Sequence, residues 1–245
     1  MDATPTPPFS PRDTAGLIGA TLDLFLRHFS AFAWTSIAPA LAISVLNIAL
    51  GEQEWTVHLV LAIPLLFLEL LIWSATTLVS VGTVLGHLPD VSTAYRCALR
   101  SPLATLLIST LLLGVTIAAG TFLLVVPGLI VLAQTLLVPV IVVIERRPTW
   151  DALRRSRALG AGFYVRNLFV VIVLYLPSIL GAILSSSMDE GSPALDVALA
   201  LLGTVLQTLS MLATVLVYID MRARKESFDP TTLALEINTA YGERD

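Results

Sequence analysis

The residue whose type and position most suggest chemistry is Glu69, which lies inside the apolar run LLFLELLIW. A carboxylate within a membrane helix costs a few kcal/mol to insert, so it is expected to face other helices or water rather than lipid. One hypothesis makes Glu69 a proton or cation relay or a substrate contact. The other makes it a protonated acid that hydrogen-bonds to a polar neighbour, for which Gln134 and Gln207 are the candidates.

A second group of candidates consists of arginines in two polar connections between apolar segments. Each can attract an anionic lipid headgroup with about 1 kcal/mol near the surface, or contact a partner protein. The alternative is that they only orient the chain in the membrane. Nucleic acid is not expected, since these residues lie against the bilayer. The candidates are Arg96, Arg100, Arg146, Arg147, Arg154, Arg155, Arg157 and Arg166.

Sequence signatures of catalysis are missing from the chain. It has no phosphate-binding glycine loop, no Gly-x-Ser-x-Gly elbow and no zinc-type helix motif. The three histidines, His28, His58 and His87, fall on separate segments. We therefore expect a protein that is not an enzyme and that uses neither a cofactor nor a metal ion.

The composition places all these residues in a membrane protein. Apolar residues make up 56% and charged residues 13% of the 245 residues, against about 25% charged in an average soluble domain. All fourteen Arg and Lys lie near the N-terminus, in two connections or near the C-terminus, while the other connections are acidic. Because basic residues near span ends stay on the cytoplasmic side, both termini are predicted to be cytoplasmic. The bacterial cytoplasmic (inner) membrane fits best.

The hydropathy pattern predicts an all-α membrane protein with about six transmembrane helices, arranged as three hairpins. A span needs about 20 mostly apolar residues. A short interfacial helix on the cytoplasmic side is expected before each hairpin, at 14–32, 91–101 and 149–166. Residues 1–13 are expected to be disordered, 14–225 to form the transmembrane domain, and 226–245 to form a cytoplasmic tail with a short helix from Asp229-Pro230. The predicted spans are 33–50, 57–82, 103–125, 128–144, 168–186 and 195–219.

Two basic segments carry a resemblance to a known family. The stretch 218–229, YIDMRARKESFD, resembles a Y-x-D-x-R-x-R-x-E-G-F-D signature, with Ser227 in place of the usual glycine. The stretch ALRRSRALGAG at 152–162 resembles an A-L-R-R-S-x-x-L-x-x-G segment, and Pro139 with Glu145 resembles a P-x(5)-E ending of the fourth span. The signature residues here are Asp220, Arg222, Arg224, Glu226, Phe228 and Asp229.

These motifs are typical of bacterial proteins in the glycerophosphodiester phosphodiesterase membrane-domain group and its uncharacterised relatives. The resemblance implies a multi-span fold. Some members are fused to a soluble phosphodiesterase domain, but this chain has no room for such a domain, so the resemblance implies no such activity.

Two functional hypotheses follow from the sequence. The first is a scaffold or accessory subunit that binds membrane lipids, anionic ones included, and another membrane protein or a second copy of itself. The second is a transporter or lipid-handling protein that uses Glu69 and helices kinked at Pro39, Pro64, Pro139 and Pro177. An intramembrane enzyme is a third and less favoured reading. Two features discriminate between the first two: whether Glu69 faces a polar cavity, and whether the arginines converge on one pocket.

Overall fold

The computed structural model describes the chain in segments and is helical throughout them. Every regular element of these segments is a helix and none is a strand, which confirms the all-α prediction for the described part. The first ten residues, predicted to be disordered, lie outside it. The described residues are 11–50, 55–123, 125–170, 172–173, 193–226 and 228–241.

The helices follow one another with short connections. A further helical stretch at 164–170 precedes the gap in the description. The helices with full bounds are α1 (Thr14–Arg27), α2 (Phe29–Leu50), α3 (Trp55–Leu85), α4 (Val91–Leu99), α5 (Leu103–Leu123), α6 (Val125–Thr135), α7 (Val138–Glu145), α8 (Thr149–Gly160), α9 (Pro193–Lys225) and α10 (Pro230–Tyr241).

Several of these helices are long and apolar enough to cross a bilayer. A fifth candidate exists if α4 and the first part of α5, which meet at a bend of 80°, count as one broken span. The prediction of six spans in three hairpins stays a prediction, because the span at 168–186 lies mostly outside the described residues. The four spans found in the described segments are Phe29–Leu50, Val60–Leu85, Gly128–Glu145 and Ala194–Lys225.

The break between the third and fourth predicted spans comes earlier than the sequence suggested. The predicted spans 103–125 and 128–144 put the connection at 126–127, but α5 ends at Leu123 and α6 already begins at Val125. Pro127 is thus the third residue of a helix. The first turn of a helix has no intrahelical partners for its N–H groups, so a proline there removes no hydrogen bond. The two helices then pack against each other.

Two of the span prolines have specific structural consequences. Pro39 cannot donate to the carbonyl of Thr35, and a wide π-helical turn at Ala33–Ile37 precedes it. The hydroxyl of Tyr95 donates to the Thr35 carbonyl instead, at 2.7 Å, and so fastens α4 to α2. Pro139, expected inside a span, is the second residue of α7, where a proline favours a helix start.

Helix α9 is the centre of the bundle. It contacts α1, α2, α3, α7 and α8, and residues 208–222 are buried on every face. A helix with no solvated face has to satisfy its polar groups through partners. The last charged residues of this stretch, Asp220 and Arg222, are therefore expected to be paired, as they are below.

Aspartates begin three of the short helices. The Asp13 side chain accepts the N–H of Gly16 at 2.8 Å and caps α1. Asp90, rather than the alternative Ser92, caps α4, and Asp229 accepts the N–H of Thr232 at 2.7 Å and caps α10. The predicted start of the last helix is thus confirmed. The Asp229 carboxylate has a pKa below its ordinary value, because it accepts hydrogen bonds from the backbone and hydroxyl of Thr232.

Candidate functional site

A cleft with several polar residues in its wall lies within the apolar part of the bundle, where α2, α3, α5, α7 and α9 come together. Its volume is about 280 Å³. Glu69 lines it from α3, and Gln207 lines it from α9. A second cavity of about 240 Å³, between α2 and α3, also has Glu69 and Asn47 in its wall. The sequence candidates Glu69 and Gln207 are therefore brought together in one cleft.

Glu69 lies well inside its span. Measured along Val60–Leu85 at about 1.5 Å per residue, it is about 14 Å from one end and about 24 Å from the other. Its neighbours Phe67 and Leu68 are exposed large apolar residues on the outside of the bundle. The carboxylate thus stands at apolar depth, next to exposed apolar side chains.

Three of the polar side chains that line the cleft have no hydrogen-bond partner within the described part of the chain. In the described part of the chain, Glu69, Asn47 and Gln207 make no side-chain hydrogen bond and Glu69 makes no ion pair, and all three are exposed towards the cleft. Ser44 and Thr204, by contrast, donate to carbonyls of their own helices. Unpaired amide and carboxylate groups at apolar depth carry a desolvation cost, which a ligand or water in the cleft would relieve.

Gln134, the other amide candidate, is placed elsewhere. It lies on α6 and does not line the cleft. Its backbone carbonyl accepts the hydroxyl of Ser156 at 2.7 Å and so holds α8 against α6. The two glutamines therefore form a natural pair for comparison, since one faces the cleft and the other does not.

Sequence reasoning missed the contribution of Trp73 to this cleft. Trp73 follows Glu69 by four residues on α3, and the two line the same cleft. The spacing of four, which places side chains on one helix face, was a signal available in the sequence. Asn47 lies within the predicted span 33–50, but only the packing of α2 on α3 brings it to the same cleft as Glu69.

The second candidate region is a cluster of ion pairs where α7, α8, α9 and α10 meet. Arg222 donates to Glu226 at 2.9 Å and makes two hydrogen bonds to Glu236, at 2.6 and 2.8 Å. Arg155 from α8 bridges Glu226, with one bond at 2.8 Å, and Glu145, at 3.1 Å. We call these residues, with Tyr218, the Arg222 cluster. It joins four helices through one continuous set of charges.

Aromatic side chains complete the Arg222 cluster. The hydroxyl of Tyr218 donates to Glu145 at 3.0 Å and accepts from Arg222 at 2.8 Å. The Arg222 guanidinium lies 3.8 Å from the ring centre of Phe228, within the range of a cation–π interaction. The family-like residues Arg222, Glu226 and Phe228 thus hold the end of α9 against its neighbours.

Glu226 makes the stability of this cluster depend on pH. Burial alone would raise the pKa of Glu226, but hydrogen bonds from Arg155 and Arg222 outweigh burial and lower it below its ordinary value. A lowered folded-state pKa gives stabilisation that is complete above the pKa of the unfolded chain and is lost as the pH falls through the folded pKa.

We expect the melting temperature to fall less steeply for Glu226→Gln than for the unmodified protein as the pH goes from about 7 to about 3. The reason is that glutamine at position 226 carries no charge at any of these pH values, so the variant has no carboxylate to protonate. Differential scanning fluorimetry in mild detergent at a series of pH values makes the measurement. Parallel curves for the two proteins would contradict the pKa assignment.

A second set of charges, the Asp220 cluster, comprises Arg12, Arg166, Asp220 and Arg224. Asp220 accepts from Arg166 at 2.6 Å, from Arg224 at 2.9 Å and from the backbone N–H of Arg12 at 2.8 Å. Arg166 and Arg224 both donate to the carbonyl of Arg12 and lie over the ring of Phe163. One buried carboxylate thus fastens the segment before α1 to the end of α9.

The arginines proposed for lipid or partner contact fall into different environments. Arg155 and Arg166 belong to the two clusters, and Arg146 donates to the carbonyls of Arg100 and Ala240. They do not converge on one pocket. Contact with anionic lipid stays a prediction. The arginines most available for it are exposed: Arg96, Arg100, Arg147, Arg154 and Arg157.

Within the described residues, no three His, Cys, Asp or Glu side chains are grouped so that they could hold a metal ion. Comparisons of the chain with protein-family models, with curated proteins and with solved structures give no match in any of the three.

Proposed function

We propose that this protein is a lipid-handling or transport protein of the membrane, which holds a ligand in the cleft at Glu69. The observation that carries the proposal is the convergence of Glu69, Asn47 and Gln207, all without hydrogen-bond partners in the described chain, on one cleft at apolar depth. Polar groups in membrane helices that lack partners are costly, and such groups mark ligand or ion pathways.

The exposed apolar residues beside Glu69 support handling of a ligand that arrives from the bilayer. Asn47 and Gln207 are exposed in the described structure, and the exposed Phe67 and Leu68 flank Glu69. A ligand with an apolar part can keep that part beside such residues while its polar end meets the cleft. The wall of the cleft is built from five helices, so small shifts between them would change its opening.

We place the charged end of the bundle, with both chain termini, on the cytoplasmic side of a bacterial inner membrane. The support is the concentration of arginines near span ends at 146–166 and 222–225. Membership of the glycerophosphodiester phosphodiesterase membrane-domain group is likewise a proposal. It rests on the two basic motifs, whose residues Arg155, Arg222 and Glu226 contact one another.

An accessory subunit is the second candidate. The observation that favours it is again the exposure of Asn47, Glu69 and Gln207, because a helix of a partner membrane protein could cover and hydrogen-bond them. Native mass spectrometry of protein extracted in mild detergent separates the two functions. Bound lipid or small ligand supports the first, and a stoichiometric partner protein supports the second.

The proposal predicts that two cleft variants lose retained ligand and that a matched variant outside the cleft does not. Glu69→Gln and Gln207→Met remove polar contacts within the cleft, and Gln134→Met makes the same change on α6. Loss of a hydrogen bond to a charged group weakens binding by about tenfold. We expect the first two variants to carry correspondingly less copurified lipid, measured by native mass spectrometry.

The same variants, reconstituted in vesicles containing fluorescent phospholipid, test movement of lipid between leaflets. Slower movement for both cleft variants, with Gln134→Met equal to the unmodified protein, is the expected result. Equal lipid retention and equal movement in all four proteins would overturn the proposed function.

A further inference from the structure

We propose that the ligand of the cleft carries an alkylammonium group, which the Glu69 carboxylate and the Trp73 indole bind together. This inference rests on the proposed function and names the chemical class of its ligand. It starts from the described residues that line the cleft, which supply one acidic group, one aromatic ring, several neutral polar groups and apolar walls.

Glu69 and Trp73 are positioned to act on one cation. They are four residues apart on α3, so their Cβ atoms lie about 6 Å apart on one helix face. Both side chains line the same cleft. A carboxylate supplies the opposite charge, and the face of an indole ring attracts ammonium groups most strongly among aromatic side chains. This combination is how proteins recognise amines and quaternary ammonium ions.

The remaining polar lining is neutral and suits the N–H groups of a primary ammonium. Asn47, Thr110 and Gln207 offer oxygens that can accept hydrogen bonds, and the described residues that line the cleft include no Lys, Arg or His. With Glu69 ionised, the cleft carries one negative charge, which one monovalent cation neutralises. An anionic headgroup would meet an uncompensated carboxylate in a medium of low dielectric constant, where like charges repel strongly.

Size and wall chemistry favour an organic cation over a bare metal ion. A volume of about 280 Å³ is several times the ~30 Å³ that one water occupies in the liquid. Ile43, Leu70, Leu106 and Met211 form apolar wall, and hard cations such as Ca²⁺ take about six or more oxygen ligands. An ammonium with an apolar tail fits both features. Such a group can come from an aminophospholipid of the bilayer or from a free amphiphilic amine.

The first experiment measures binding of radiolabelled hexyltrimethylammonium to the full-length protein in maltoside detergent by equilibrium dialysis. Unlabelled hexylammonium, hexanol and hexanoate serve as competitors of equal chain length. We expect hexylammonium to displace the probe and the other two not to. We also expect Glu69→Gln and Trp73→Leu each to weaken probe binding by about tenfold, while Gln134→Met leaves it unchanged.

A second set of competitors distinguishes the sources of the ammonium. Dioleoylphosphatidylethanolamine is compared with its N-acetylated form, which lacks the positive charge. Displacement by the amine form alone identifies an aminophospholipid, whereas displacement by hexylammonium and by neither lipid identifies a free amine. Either result supports an ammonium site.

Two results would overturn the inference: competition by hexanol as strong as by hexylammonium, or probe binding that is absent or unaffected by Glu69→Gln. These results leave the proposed function standing if native mass spectrometry still finds lipid whose retention depends on Glu69 and Gln207. The ligand class then fails while the cleft remains a binding site. If neither probe binding nor lipid retention depends on the cleft residues, the proposed function is contradicted as well.

Discussion

Arg222→Met is expected to lower the free energy of unfolding by about 3 kcal/mol. The Arg222 side chain is only 7% exposed and is the shared partner of Glu226 and Glu236. Methionine keeps much of the apolar length of arginine but none of its charge or donors. Removing one member of a buried ion-pair set leaves the remaining carboxylates close together without their main compensation, and this accounts for most of the cost.

The matched control for this variant is Arg154→Met. Arg154 lies on α8 next to Arg155, is exposed, and makes no side-chain hydrogen bond or ion pair within the described residues. Its replacement is expected to change stability by less than about 0.5 kcal/mol. Thermal unfolding in mild detergent, followed by scanning fluorimetry, compares the two. Equal losses would mean that the ion pairs of Arg222 contribute nothing beyond general positive charge at this end of the bundle.

Several helix boundaries followed from local chemistry and were predicted correctly. Asp229 before Pro230 marks a helix start, because an aspartate caps free N–H groups and a proline at the first helical position needs no donor. The long uncharged part of α9 was also enough to predict a membrane span there. Such features depend on residues within one or two helical turns, and this is why a single sequence reveals them.

The break between α5 and α6 was placed too late for a related reason. Val126-Pro127-Gly128 has the composition of a turn, but a proline is also common in the first turn of a helix. Local composition does not separate these two cases. The packing of α6 against α5 and α8 decides between them, and that packing involves residues distant in the sequence.

The partners of the charged and polar candidates could not be read from the sequence at all. Gln134 and Gln207 were equivalent candidates for a contact with Glu69, and only the arrangement of α9 beside α3 selects Gln207. Likewise Arg155 and Glu226 are 71 positions apart. The charge of Arg155 suggested lipid contact or membrane orientation, whereas the bundle pairs Arg155 with Glu226.

The second large effect is expected for Asp220→Asn, which should destabilise the fold by about 2 kcal/mol and release the segment before α1. The Asp220 side chain is 3% exposed and is shared by Arg166 and Arg224. An asparagine can still accept one hydrogen bond, but it leaves Arg12, Arg166 and Arg224 without the negative charge that holds them together. The backbone N–H of Arg12 then loses its charged acceptor.

The rate of cleavage by trypsin in a limited digestion measures this release, because trypsin cleaves the peptide bond that follows Arg12. We expect cleavage there to be several times faster in Asp220→Asn than in the unmodified protein, since proteolysis follows the population of the locally open state. The control is Asp23→Asn, which removes an exposed ion pair to Arg27 worth at most about 1 kcal/mol.

An unchanged cleavage rate after Arg12 in Asp220→Asn would mean that other contacts hold this segment. The Asp220 cluster would then serve the end of α9 alone, and the fastening of the segment before α1 would have to be sought in the packing of Leu17 and Phe25.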